Sequence, residues 1–240
     1  MNSKIIISNN AEELSEQFAQ ILLKELKWNK GYFNIALSGG STPKVIYKYL
    51  ADNYSTKIDW GKIRFFWGDE RCVPPDHPDS NYKTAFDLLI SKVDIPPENI
   101  LRIHGETDAG EEAVNYSGIL KEKLPADEEI PVFDLIMLGL GEDGHTASIF
   151  YDSIQLFNSQ SVCAVALHPV SLQKRITITG NVINRAAKVV FIATGESKSK
   201  VADMIISKKP GSEKLPAAYV SPYKGELIWL LDKPAAGLLH

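Results

Sequence analysis

The run Phe133-Asp134-Leu135-Ile136-Met137-Leu138-Gly139-Leu140-Gly141-Glu142-Asp143-Gly144-His145 decides the fold of this 240-residue chain. Its first half is a nearly continuous apolar stretch, the pattern of a strand covered on both faces. Its second half is a glycine loop bearing an acid and an imidazole at the strand's carboxyl end, where open α/β sheets keep their ligands. A core strand therefore delivers a titratable side chain to a crevice.

The letters Gly139 to Gly144 also fit the glycine fingerprint of dinucleotide-binding folds. That fingerprint needs a helix directly after the glycines and an acid about 20 positions on, to hold the ribose hydroxyls. Here His145 follows the last glycine, Ser159 to Leu167 contains no acid, and the unit lies mid-chain. The nucleotide reading is set aside on these grounds.

Working outward, strand-like and helix-like segments alternate along the chain, which predicts a three-layer α/β fold with a mainly parallel sheet flanked by helices. Lys4 to Ile7, Phe33 to Leu37, Ile63 to Trp67, Val162 to Leu167, Arg175 to Thr179, Val189 to Thr194 and Leu227 to Leu231 read as further strands. Leu14, Phe18, Ile21, Leu22 and Leu26 mark a helix over Ala11 to Trp28. Further helices are expected after Pro43, over Asn81 to Ser91, from Asp108 to about Lys123, and after Gly195. Leu124 to Pro131 reads as a polar connector. The alternation of Ile176 and Ile178 with Thr177 and Thr179 predicts a half-exposed strand presenting Arg175 at its start. With neither internal repeat nor boundary, residues 1–240 are expected to form a single domain.

Composition narrows the function. The apolar content of 44% supports a substantial core, and a formal charge of −4 with no basic stripe argues against nucleic acid as a partner. No apolar segment is long enough to read as a signal peptide or membrane span. Cys72 and Cys163 stand far apart, giving neither a disulfide framework nor a zinc pattern, so a reducing cytoplasm is the expected location. An anionic ligand would have to be held by a few local cations.

Four constellations can supply that chemistry. Ser38-Gly39-Gly40-Ser41-Thr42 precedes Pro43 at a helix start, where free backbone N–H groups suit a phosphate or carboxylate. Taken alone, the same residues make a tight turn with a hydroxyl helix cap. Asp69-Glu70-Arg71 lies at another strand's carboxyl end, beginning a long loop, and Arg71 is suited to bidentate phosphate recognition. Arg175 and Lys198 stand at a strand start and a helix start, beside hydroxyl residues; taken alone each reads as a solvated charge, and only together at one rim would they draw in an anion. His145, with Asp143 two residues back, is the candidate for proton transfer, because imidazole titrates near neutrality. His77, His104 and His168 read as ordinary loop or packing residues, and no two histidines stand at metal-ligand spacing.

Taken together, Ser38 to Pro43, Trp67-Gly68-Asp69-Glu70-Arg71-Cys72-Val73-Pro74, Ser80-Asn81, Gly139 to Ser148 and Arg175-Ile176-Thr177-Ile178-Thr179 resemble the 6-phosphogluconolactonases. The resemblance implies a fold like that of glucosamine-6-phosphate deaminase and ribose-5-phosphate isomerase. It also implies a hydrolase of the oxidative pentose phosphate pathway, acting on a phosphorylated sugar lactone with no metal or organic cofactor. His145 would be the proton-transfer group, oriented by Asp143 or Asp69. Arg71, Arg175, Lys198 and the Ser38 to Thr42 backbone would bind substrate. Where the family often continues with leucine, phenylalanine, proline and glycine after Ala-Ser, this chain has Ile149-Phe150-Tyr151-Asp152.

Two alternatives compete. An amino-sugar deaminase of the same fold carries an acid five residues after its histidine, where this chain has Phe150. Its Asp-Glu pair is followed by tyrosine, where this chain has Arg71. A non-catalytic sugar-phosphate sensor would carry a DNA-binding segment, whereas Met1 to Lys30 supplies one strand and one helix.

Overall fold

The computed structural model describes residues 3–239; Met1, Asn2 and His240 lie outside the described residues. The elements along the first half are β1 (Lys4–Ser8), α1 (Ala11–Trp28), β2 (Phe33–Leu37), α2 (Ser41–Tyr54), β3 (Ile63–Trp67), β4 (Asp69–Arg71), α3 (Asn81–Leu88) and α4 (Ala109–Lys123). They continue with β5 (Ala126–Asp127), β6 (Ile130–Pro131), β7 (Leu135–Gly139), β8 (Cys163–Leu167), β9 (Lys174–Ile178), α5 (Gly180–Ile183), β10 (Lys188–Ala193), α6 (Ser199–Ile206) and β11 (Glu226–Asp232).

Six strands form one sheet in the order β1-β11-β10-β7-β2-β3, and every pair in it is parallel. The apolar run at its centre has the expected consequence: Leu135, Ile136, Met137 and Leu138 are all buried, because helices cover both faces. From β2 the chain proceeds to β3 on one side, and from β7 it proceeds to β10 and β11 on the other. The order thus reverses between β2 and β7, which makes their adjoining carboxyl ends a topological switch point. The loops leaving those two strands, at Ser38 and at Leu140, are the ones that carry the glycine and histidine constellations.

The flanking helices arise from local chemistry. α1 is capped by the Asn10 side chain, which accepts from the Glu13 N–H, and buries Leu14, Phe18 and Leu22 at four-residue intervals. α4 is capped by Asp108, which accepts from Gly110 and Glu111. Asp69-Glu70-Arg71 turns out to be a short strand, and its second acid anchors the next helix. Glu70 accepts from the N–H groups of Asn81 and Tyr82 at 2.7 and 2.8 Å, at the start of α3.

The structure adds a second sheet and corrects one expectation. The segments Val162 to Leu167 and Arg175 to Thr179 do not join the parallel sheet. As β8 and β9 they form a separate antiparallel sheet with β4, in the order β4-β9-β8. The reason lies in the connection: only six residues separate β8 from β9, whereas a parallel pair needs a crossover of about a dozen. Nor is β9 half-exposed, since Thr177 and Thr179 are as buried as Ile176 and Ile178. α4 packs against this sheet, and the hydroxyls are satisfied internally: Thr177 Oγ1 donates to the Ile178 carbonyl and Thr179 Oγ1 to that of Ser161. The polar connector Leu124 to Pro131 contains a small hairpin, β5 with β6.

Candidate active site

The small antiparallel sheet sits beside the switch point because Gly68 joins the two sheets. Its N–H donates to the Leu37 carbonyl of β2, and its own carbonyl accepts from Ile178 of β9. One open cavity of about 200 Å³ results. It is lined by Ser38, Gly39, Gly40, Ser41 and Thr42 from the β2–α2 loop, Asp69 and Arg71 from β4, and His145 from the β7 loop. Arg175 from β9 and Lys198, which comes after β10, line it too. Asp143 does not line the cavity; it stands behind His145.

The histidine loop is tightly determined. Gly141 N–H donates to the His145 carbonyl and Gly144 N–H to the Gly141 carbonyl, and Thr146 Oγ1 donates to the Gly139 carbonyl at 2.9 Å. His145 Nδ1 lies 2.5 Å from Asp143 Oδ1, and the His145 N–H also donates to that oxygen at 3.2 Å. Partial burial works against the Asp143 carboxylate, yet the hydrogen bond and charge of His145 outweigh it and hold the carboxyl down at about 2. A Cβ at residue 141 would overlap both His145 Nδ1 and Asp143 Oδ1, so only glycine leaves room for the pair. No helix opens directly after Gly144, in keeping with the rejection of a dinucleotide fingerprint; Thr146 and Ile149 instead bridge across a turn.

Phe150 packs against the imidazole. Its ring centroid lies 4.9 Å from that of His145 and 5.2 Å from that of His168, and the Arg175 guanidinium is 5.8 Å from it. Phe150 is fully buried. This is the position where a deaminase would carry its acid, and here it is hydrocarbon. His168 is a packing residue as expected, though one close to the site.

Asp69 has other partners than the histidine. Its Oδ2 accepts from Ser148 Oγ at 2.6 Å and its Oδ1 from Asn81 Nδ2 at 3.3 Å, so it ties the histidine loop to β4 and α3. Asn81 also lines the cavity, as does Ala147, whose φ of 49° is uncommon for a residue with a side chain. Ser80-Asn81 was visible as a motif, but nothing in the sequence indicates the bond to Asp69. Nothing there marks Ala147 either, because backbone conformation at an alanine has no side-chain signature.

The cavity also gathers cations. Arg71 and Arg175 are direct partners across the antiparallel pair of β4 and β9, and like charges so placed repel. Burial, and next the charge of Arg71, weaken the proton affinity of the Arg175 guanidinium. Among the described residues, the Nε of each arginine is buried without a hydrogen-bond partner. Lys198 Nζ lies 3.8 Å from Glu142 on the histidine loop. The start of α2 adds to this field: its N-cap is Gly40 at φ 112°, with no side-chain cap in place of the hydroxyl cap that the loop could have supplied. Among the described residues, no three His, Cys, Asp or Glu side chains converge so as to hold a metal ion.

Comparison with known proteins agrees with this architecture. The family described as glucosamine-6-phosphate isomerases/6-phosphogluconolactonase matches residues 8–229. A 6-phosphogluconolactonase of Treponema pallidum is 39% identical over 214 residues, spanning 89% of this chain and 86% of that one. The crystal structure of a 6-phosphogluconolactonase from Leishmania guyanensis superposes with a TM-score of 0.89 at 27% identity, over the whole of both chains. A monomeric glucosamine-6-phosphate deaminase superposes with a TM-score of 0.82 at 22% identity, over 98% of this chain and 99% of that one, a likeness of fold alone.

Proposed function

The chain belongs to the family of glucosamine-6-phosphate isomerases and 6-phosphogluconolactonases, and from that membership and its pocket we propose that it hydrolyses 6-phospho-D-glucono-1,5-lactone to 6-phospho-D-gluconate. It is an enzyme of the oxidative pentose phosphate pathway. Residues 1–240 act as one catalytic domain, with a small phosphorylated lactone rather than nucleic acid as partner. Its two free cysteines suit a reducing cytoplasm, and among the described residues no helix is long and apolar enough to cross a membrane.

The observation that carries this reading is the pairing of His145 with Asp143 at a cavity that two directly opposed arginines also line. An ionised Asp143 can only accept, so it draws the Nδ1 proton to itself and leaves Nε2 of the neutral ring as a base. A lactone already has a reactive ester carbonyl. What it needs is water delivered to C1 and a proton returned to the ring oxygen. His145 Nε2 takes the water proton as the C1–O bond forms, and the imidazolium returns it to the ring oxygen as the C1–ring oxygen bond breaks. One positioned histidine contributes about 10²–10⁴-fold in this way. Asp143 stabilises the transient imidazolium and fixes the ring's orientation.

The far end of the substrate accounts for the cations. A phosphate between Arg71 and Arg175 relieves their repulsion and supplies acceptors for their unpartnered Nε groups. Lys198 and the amides at the start of α2 add to its hold. Binding energy gained there positions C1 against His145. Asp69 acts through Ser148 and Asn81, holding together the loops that bring imidazole and guanidinium groups to one cavity.

The test is acid release from freshly generated 6-phosphogluconolactone, corrected for spontaneous hydrolysis, beside a glucosamine 6-phosphate deamination assay. Acceleration of the first alone is expected. Activity only in the second makes the chain a deaminase, and activity in neither returns it to a sensor.

A further inference from the structure

The mechanism gives no role to the buried carboxylate of Asp232. Asp232 is the last residue of β11 and only 6% exposed, and among the described residues no cation pairs with it. A buried carboxylate is costly unless its oxygens are satisfied. Here two backbone amides do so: Gly195 N–H lies 3.0 Å from Oδ1 and 3.1 Å from Oδ2, and Ala235 N–H lies 2.8 Å from Oδ1.

The position of Gly195 gives these bonds a consequence. β10 and β11 run side by side with Ala193 opposite Leu231, so Asp232 sits just where the chain leaves β10 and turns toward the cavity. Gly195 makes that turn at φ 90°, and its carbonyl accepts the N–H of Lys198 at 3.1 Å. Two hydrogen bonds in series therefore connect the Asp232 carboxylate to the backbone of the cavity's lysine. The same strand end is tied to the start of α2, since Thr194 Oγ1 lies 2.8 Å from Thr42 Oγ1.

We infer that Asp232 is a positioning residue for substrate binding, which fixes the Gly195 turn and so holds Lys198 where the substrate's phosphate arrives. Asp232 does not touch the substrate; it acts through Lys198, and the inference rests on the reading of Lys198 as an anion-binding cation. Without the carboxylate the turn loses the acceptor for the Gly195 N–H, and the lysine must be ordered at the cost of binding.

Steady-state kinetics on the lactone, with inorganic phosphate as competitor, test this in wild type, Asp232→Ala, Asp232→Asn, Lys198→Ala and the double variant Asp232→Ala/Lys198→Ala. Asp232→Ala is expected to raise KM and the phosphate inhibition constant about tenfold, the scale of one lost charge-assisted hydrogen bond, with kcat little changed. Asp232→Asn keeps an oxygen for both amides but sets an amide donor where Oδ2 faces the Gly195 N–H, so its rise in KM should be smaller than that of Asp232→Ala. In the Lys198→Ala background, removal of Asp232 should add nothing to KM. An unchanged KM in Asp232→Ala, or the same rise in both backgrounds, overturns the inference and leaves Asp232 a structural cap of the Ala235 turn. An unchanged KM in Lys198→Ala overturns it too, whereas lactone hydrolysis by the wild type is read separately and tests the proposed function. If Asp232→Ala does not fold, Asp232→Ser, too short to reach both amides, takes its place with the same outcomes.

Discussion

His145 Nδ1 and Asp143 Oδ1 lie 2.5 Å apart, two residues apart in sequence, on a loop in which residue 141 must lack a side chain for them to meet. The short separation and the depressed Asp143 carboxyl describe one thing: an acid kept ionised so that the imidazole keeps a single tautomer.

Replacing the acid while keeping its shape isolates that effect. Asp143→Asn no longer dictates which ring nitrogen carries the proton, and kcat for lactone hydrolysis is expected to fall about a hundredfold with KM little changed. Stopped-flow acid release measures both.

The same pair contributes a pH-dependent stability. Asp143 drops from its ordinary 3.8 to about 2 in the folded protein, so its contribution is fully present above the ordinary value and is lost as pH falls through the folded one. Urea unfolding of wild type and Asp143→Asn should therefore differ above about pH 4 and converge as pH is lowered from about 4 toward 2. Because the pair is partly exposed, solvent screening keeps the difference small.

Gly141→Ala tests the geometry without altering either partner. The new methyl group overlaps His145 Nδ1 and Asp143 Oδ1 and must push them apart. Turnover should fall at least as far as in Asp143→Asn, while overpacking costs about 1–3 kcal/mol of stability, within reach of a folded protein. Circular dichroism and activity on the same preparation check the two parts.

Arg71 and Arg175 stand directly opposite each other at the cavity, like charge against like, which predicts that anions stabilise the protein. Inorganic phosphate should raise the Tm of the wild type by mass action, and Arg71→Ala should lose most of that gain. The same variant should show a KM for lactone about ten- to a hundredfold higher. Equal competition by phosphate in both proteins would remove the arginines from the anion site.

Much of this was legible in the sequence, for identifiable reasons. Leu135 to Leu138 announces a fully covered strand because a parallel core strand has no polar side to write. Once β2 and β7 adjoin at a switch point, the Ser38 and His145 loops must meet. The pairing of β4 with β9 was not legible, since it joins residues about a hundred positions apart and backbone hydrogen bonding leaves no side-chain pattern. For that reason Arg175 could be picked out as a cation without its apposition to Arg71 being visible. Thr177 and Thr179 misled because a hydroxyl that donates to a nearby carbonyl can be buried, so alternation of isoleucine and threonine does not require an exposed face. The choice between Asp143 and Asp69 as partner of the imidazole was open in the sequence. The distances give that contact to Asp143, while Asp69 bonds Ser148 and Asn81.

The most direct test is turnover of the lactone by His145→Ala beside wild type, with folding checked by circular dichroism and phosphate binding by its Tm shift. The expected result is a kcat lower by about 10² or more, with fold and phosphate binding retained. Near-normal turnover in that variant would contradict the assignment of His145 as the group that moves the proton.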